Sequence, residues 1–271
     1  MELRFALLGA LETTVDGSDL ILASAMMRGV LAVLLLAGGQ RVTIDRLGQA
    51  LWSTPPKSAA SNLRSYLARL RVTLRNAHPD LATRLVTMGH EGGYRLILNS
   101  HELDSRLFAD LARRGRDHLL NRDYALAEIT LREALALWRG SAGQDLAAAG
   151  TLGQQLTHLN EQRVVAIEDL VDARLALGAT TDLLTDTRAL VLEHPLRDRP
   201  WEQLMRALYL AGDPAGALDA YQQARRSFND ALGMEPANRL QKLQTAILRR
   251  DEHAIEPTAM TLPGRTRTCD I

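Results

Sequence analysis

Alternating apolar and polar positions open the chain. Leu3–Leu8, Leu11–Val15 and Leu20–Leu22 are short apolar runs separated by Gly9 and by the Asp16-Gly17 pair. This spacing predicts a small meander, because Asp-Gly tolerates the positive φ that tight hairpin turns need. At Ser24 the period changes: Met27, Val30, Leu31, Leu34 and Leu35 recur at helical spacing until Gly38-Gly39. Thr43 is placed to cap a second short helix through Ile44, Leu47 and Leu51, and Pro55-Pro56 hold Ser53–Lys57 as a loop. A third helix starts at Ser58 and runs to Asn76–Asp80, with Pro79 expected as its stop. Leu85–Met88 and Tyr94–Leu98 then read as strands around the glycine-rich turn at 89–93.

Strands, three helices and a hairpin, in that order, are the elements of a winged helix-turn-helix with an extra sheet in front. Past Leu103 the pattern becomes helical throughout. Segments Ser105–Leu120, Tyr124–Trp138, Gly153–Leu177, Asp182–Glu193, Pro200–Leu210, Ala215–Leu232 and Pro236–Arg250 each carry apolar residues three and four apart. Ala173–Gly178 (ARLALG) and Ala207–Gly212 (ALYLAG) echo each other 34 residues apart, the tetratricopeptide period. The expected fold is therefore mainly α: a winged helix over residues 1–100 with a small β-sheet and wing hairpin, then a tetratricopeptide-like helical domain over 101–253. Residues 254–271, with Pro257, Pro263 and Gly264 and no period, are expected to be a disordered tail.

The third helix carries the candidate chemistry. At about 100° per residue, Leu63, Leu67, Leu70 and Leu74 form one narrow stripe that must face the core. Opposite them stand Ser61, Ser65, Ala68 and Val72, with Arg64, Arg71 and Arg75 on one flank and Arg69 with Asn62 on the other. Slim side chains between two rows of cations suit a helix lodged in a DNA major groove about 12 Å wide. An amphipathic helix in an arginine-rich chain gives flanking arginines by itself; the preceding helix, the turn and the following hairpin favour the DNA reading. In the hairpin, His90 and Arg95 are placed for backbone or minor-groove contact, although His90 also reads as a solvated turn residue.

Charge sharpens this a little. The chain is neutral, with 32 basic and 32 acidic side chains, yet residues 1–100 hold eleven basic against seven acidic groups, net +4. A basic front and an acidic remainder fit a nucleic-acid module joined to a protein-facing one.

The segments RFALLGALETTVDG, VLAVLLLAGGQRVTIDRLGQALW, NLRSYLARLR, GGYRL, AEITLREALALWRG and HPLRDRPWEQLMRALYLAGDPAGALDAYQQARRSFNDALGMEP carry a resemblance spanning residues 2–250. In this order they resemble the Streptomyces antibiotic regulatory protein (SARP) family of transcriptional activators: an OmpR-type winged helix followed by a bacterial transcriptional activation domain. The resemblance implies binding of double-stranded DNA at direct repeats beside a promoter −35 element, as a homodimer on DNA. It also implies recruitment of RNA polymerase through its sigma factor and other subunits, in control of a secondary-metabolite cluster. It makes Asn62–Arg75 the recognition helix, directs Lys57 and its loop toward polymerase or DNA, and implies a short-form member without a further domain.

Other classes find less support. The chain has no G-x-x-x-x-G-K-[ST], H-E-x-x-H or G-x-S-x-G motif, so neither an enzyme nor a cofactor or metal site is expected. Glu168, Asp169 and Asp172 are spaced for one helix face and are expected to be a solvated one. The longest apolar run, Val30–Ala37, is too short to span a membrane, and the N-terminus lacks a signal-peptide pattern. A cytoplasmic, nucleoid-associated protein is the expectation. Cys269, the single cysteine, excludes an internal disulfide. The competing reading is a helical-repeat adaptor whose winged helix binds protein; a small effector in the helical groove is a further open possibility.

Overall fold

The computed structural model describes residues 2–89, 92–147, 149–179 and 181–255 of the 271. The fold is mainly helical with two small antiparallel sheets. It divides into two compact units, one of residues 1–112 with 133–165, the other of 113–132 with 166 onward. His90, Cys269 and most of the C-terminal tail lie outside the described residues.

The first unit begins with β1 (Leu3–Ala6), β2 (Glu12–Val15) and β3 (Ser18–Asp19), paired in that order. Leu3 faces Val15 and Phe5 faces Thr13, all four buried, so one face of the ribbon is core. Asp16 (φ 49°) and Gly17 (φ 77°) make the tight turn expected from the sequence. The third strand is Ser18–Asp19 rather than Leu20–Leu22, because register on Thr14 and Val15 is set by that two-residue turn.

Three helices follow: α1 (Ala25–Leu36), α2 (Ile44–Leu51) and α3 (Ala59–Ala77). Ser24 Oγ and Thr43 Oγ1 accept from the amides of Met27 and Arg46, which caps α1 and α2. Helix α3 packs on both α1 and α2 through Leu63, Leu67, Leu70 and Leu74, each at most 1% exposed. By area, burying four leucines favours this arrangement by roughly 6–12 kcal/mol before entropy is counted. Pro79 ends α3 but also starts a six-residue helix, α4 (Pro79–Arg84), since proline suits a first helical turn and His78 Nδ1 accepts from the Asp80 amide.

Strands β4 (Leu85–Thr87) and β5 (Tyr94–Leu96) form the expected hairpin. Val42 adds to it: its amide and carbonyl exchange hydrogen bonds of 2.8 Å with Tyr94. This brings the α1–α2 connection against the hairpin so closely that a Cβ on Gly93 would lie 2.9 Å from Arg41 Cγ.

The same unit takes in parts of α5 (Asp104–Leu120), α6 (Tyr124–Leu135) and α7 (Gly150–Ala176), with the connection after α6. Its attachment to the N-terminal sheet is polar and buried. Asp104 accepts from the amides of Leu7 and Leu8 at 2.8–3.0 Å, Asp145 accepts from Leu11, and the Leu8 and Leu7 carbonyls accept from Arg139 and Gly143. Burial pushes the Asp104 carboxyl up, and the amide bonds from Leu8 and Leu7 work against that shift. Trp138 leaves α6 and meets Phe108 edge to face at 5.2 Å, with the Arg163 guanidinium 5.1 Å from its centroid.

The second unit holds α8 (Thr181–Glu193), α9 (Asp198–Leu210), α10 (Pro214–Leu232), α11 (Asn238–Arg249) and the short α12 (Glu252–Ile255). The 34-residue echo is structural here. Gly178 (φ 75°) and Gly212 (φ 83°) occupy equivalent turns, and the amides one residue on reach back to Arg174 and Leu208 in the same helix-ending bond. Asp123 repeats that bond to His118, with Arg122 in the left-handed conformation. Ala217, Ala220 and Ala224 are buried on α10 beside Trp201, Leu204 and Leu208 of α9, so small side chains allow close helix packing.

Glu168, Asp169 and Asp172 do not form a solvated face. Glu168 and Asp169 are buried, and all three converge on Arg199, whose Nη2 bonds Asp172 at 2.5 Å and Asp169 at 2.6 Å. Arg197 adds a 2.7 Å bond to Glu168, Arg116 a 2.8 Å bond to Asp169, and Gln203 a 2.8 Å bond to Asp172. Cations distant in the sequence neutralise what helical spacing alone presents as an acidic strip. Among the described residues no helix is long and apolar enough to cross a membrane.

Candidate nucleic-acid interface

Helix α3 presents a buried face and an exposed one, with Tyr66, Arg71 and Thr73 half-buried between them. The buried leucines fix its rotation, and the opposite side carries Ser61, Asn62, Arg64, Ser65, Ala68, Arg69, Val72 and Arg75, all exposed. Lys57 is exposed in the turn just before the helix. Val72 is 51% exposed, a β-branched apolar side chain in water on a helix that buries its core residues elsewhere.

The hydroxyls on this face are turned inward to the helix. Ser61 Oγ donates to the Ser58 carbonyl at 2.9 Å, Ser65 Oγ to the Ser61 carbonyl at 3.1 Å and Thr73 Oγ1 to the Arg69 carbonyl at 3.1 Å. Asn62 Nδ2 donates to Ser58 Oγ at 3.2 Å. In this arrangement each back-bonded hydroxyl has its proton engaged within the helix and its remaining lone pairs open to a ligand.

The arginines divide into two groups. The guanidinium groups of Arg64, Arg69 and Arg75 have no hydrogen bond or ion pair among the described residues, although acidic side chains are as numerous as basic ones in the chain as a whole. Arg71 is half-buried and turns to the hairpin: its Nη2 donates to the Leu85 carbonyl and to Thr87 Oγ1, both at 2.9 Å. Arg95, on β5, is also half-buried, and its Nε is buried without a hydrogen-bond partner among the described residues. His90 lies outside the described residues.

One pair of contributors was not legible in the sequence. Arg41 lies against Gly93 of the hairpin because Val42 pairs with Tyr94, and Thr87 meets α3 as an acceptor for Arg71. A single strand-like residue between two helices has no period to detect. At the base of the hairpin, Arg84 Nη1 grips both Glu102 oxygens at 2.7 and 2.6 Å, and Asn99 adds its amide at 2.8 Å. Burial alone would raise the Glu102 carboxyl; the bonds from Arg84 and Asn99 outweigh it and hold the group below its ordinary 4.5.

A three-helix unit with an exposed, cation-flanked third helix and an adjoining β-hairpin defines a winged helix-turn-helix protein, here with helical repeats behind it. Residues 103–248 match the family described as bacterial transcriptional activator domain. Regulatory protein DnrI of Streptomyces peucetius is 33% identical over 92% of this chain and 93% of its own length. Transcriptional regulatory protein EmbR of Mycobacterium tuberculosis is 32% identical over 98% of this chain and 68% of its own. The solved structure of M. tuberculosis EmbR in complex with a low-affinity phosphopeptide superposes with a TM-score of 0.86 at 31% identity, over 94% of this chain and 68% of that one. The chain belongs to the SARP family of transcriptional activators.

Proposed function

We propose that this regulator acts by sequence-specific binding of double-stranded DNA through α3, with the β4–β5 hairpin as its wing. It binds direct repeats beside a promoter −35 element as a homodimer and recruits RNA polymerase through the sigma factor and other subunits. The regulated genes belong to a secondary-metabolite cluster, and the protein works in the cytoplasm at the nucleoid. Residues 1–100 supply the DNA contacts, and 101–253 serve dimer contacts or regulation.

The observation that carries this reading is the set of unpaired arginines, Arg64, Arg69 and Arg75, on both sides of a slim exposed strip. Guanidinium groups in reach of carboxylates ordinarily pair; leaving three open on one helix suits a phosphate-lined groove. Gel shift against the upstream regions of neighbouring genes, across a salt series, tests it. The expected log–log salt slope is several units negative, since each neutralised phosphate contributes about −0.9. Added RNA polymerase should give a ternary complex and activated transcription in vitro. Absence of binding at low salt sinks the DNA reading and leaves the adaptor reading in its place.

A further inference from the structure

The outer strip of α3 has a donor–acceptor character that selects among bases. The hydroxyl protons of Ser61 and Ser65 are spent on the Ser58 and Ser61 carbonyls, and the remaining members are Ala68 and Val72. With those bonds in place the strip offers lone pairs and methyl groups, and no free side-chain proton. In the major groove guanine shows only acceptors, N7 and O6, which such a surface cannot satisfy. Adenine shows an N6 amino donor and thymine a C5 methyl, which match a lone pair and an apolar patch. Cytosine offers an amino donor but no methyl. We propose that this strip reads an A·T base pair, with the thymine methyl seated against Val72 and Ala68 and the adenine amino group donating to Ser65 Oγ. Guanine, where the site contains it, is read by the flanking arginines. The inference rests on the DNA-binding reading above.

Position singles out Val72. Isolated exposed apolar residues are common on protein surfaces, but this one shares a face with Ala68, four residues back, and Ser65, three further back, directly opposite the leucine stripe. That face is the part of the helix a groove floor would meet.

The test replaces thymines one at a time with deoxyuridine, which removes only the C5 methyl, in a site defined by in vitro selection and footprinting. Wild-type protein should lose about fourfold in affinity at one or two positions per half-site, the worth of one buried methyl group. Val72→Ala should bind the thymine site about fourfold more weakly and show no further loss on the uracil site. Val72→Thr, which keeps one γ-methyl, should retain part of the discrimination. Circular dichroism confirms that each variant is folded. Equal affinity of wild-type protein for all thymine and uracil sites overturns the inference, as does full discrimination by Val72→Ala. Both outcomes leave salt-dependent DNA binding intact, so they differ from failure of the DNA reading, which abolishes binding to every probe and removes the inference with it.

Discussion

Arg71 of the third helix donates to Thr87 of the wing strand across 2.9 Å, and the same Nη2 also donates to the Leu85 carbonyl. The bond braces the outer face of α3 against β4. Arg71 thus contributes to shape as well as charge. Arg71→Ala should lower stability by about 1–2 kcal/mol, the net worth of charge-assisted bonds in a half-buried setting. Arg71→Lys should recover little, because one ammonium does not reproduce the geometry of the planar fork. Urea unfolding of both variants checks this; wild-type stability in Arg71→Ala would show that the brace carries no load.

Arg64 and Arg69 should behave in the opposite manner. With no bond to break among the described residues, Arg64→Ala and Arg69→Ala should change stability by no more than about 0.5 kcal/mol. Each should reduce the salt slope of DNA binding by about 1 if it meets a phosphate, or relax preference at one base pair if it meets guanine. Titrations at three salt concentrations separate the two outcomes. A variant that unfolds would return these residues to a structural role.

How far these residues could be read from sequence depends on the range of their partners. Leu63, Leu67, Leu70 and Leu74 declared the orientation of α3 because helical period is local, and the Asp16-Gly17 turn and the Gly178 and Gly212 turns were equally local. Arg71 looked like a third member of a cationic flank, since its acceptors lie 14 and 16 residues away on another element. Glu168, Asp169 and Asp172 looked solvated for the same reason, as Arg199 lies 27 to 31 residues beyond them. Pairing of Val42 with Tyr94 and of Asp104 with Leu7 and Leu8 likewise joins segments that no window of sequence contains.

Glu102 links the wing to pH. Its folded pKa lies below the ordinary 4.5, so the unfolded chain takes up protons first as pH falls. The stability it supplies is fully present above pH 4.5 and is lost as pH drops through the folded value. Glu102→Gln should flatten this acid limb. Arg84→Ala should cost about 2–3 kcal/mol at neutral pH, less than a fully buried pair because Arg84 keeps 20% of its side-chain surface in solvent while Glu102 keeps 4%. Unfolding midpoints between neutral pH and the acid limb read both effects.

Arg199 holds the second unit together by charge. Removing it leaves Glu168, Asp169 and Asp172 to Arg197, Arg116 and Gln203 among the described residues, so Arg199→Ala should destabilise by about 3–5 kcal/mol, the cost of an uncompensated buried charge. Burial already pushes the Asp172 carboxyl above its ordinary 3.8 even with Arg199 in place. A folded pKa above the unfolded one means that the protonated form favours folding, an advantage present at low pH and lost as pH rises through the folded value. Without Arg199 that value rises further, so the variant's deficit should shrink on acidification from neutral pH toward the carboxylate range. Arg199→Lys should restore only part of the loss, because an ammonium cannot reproduce the paired bonds of one Nη2 to Asp169 and Asp172 together with Nε to Asp172. Urea midpoints of wild type and both variants across this pH range decide the matter; a deficit that grows on acidification would mean that lost packing, rather than exposed charge, sets the cost.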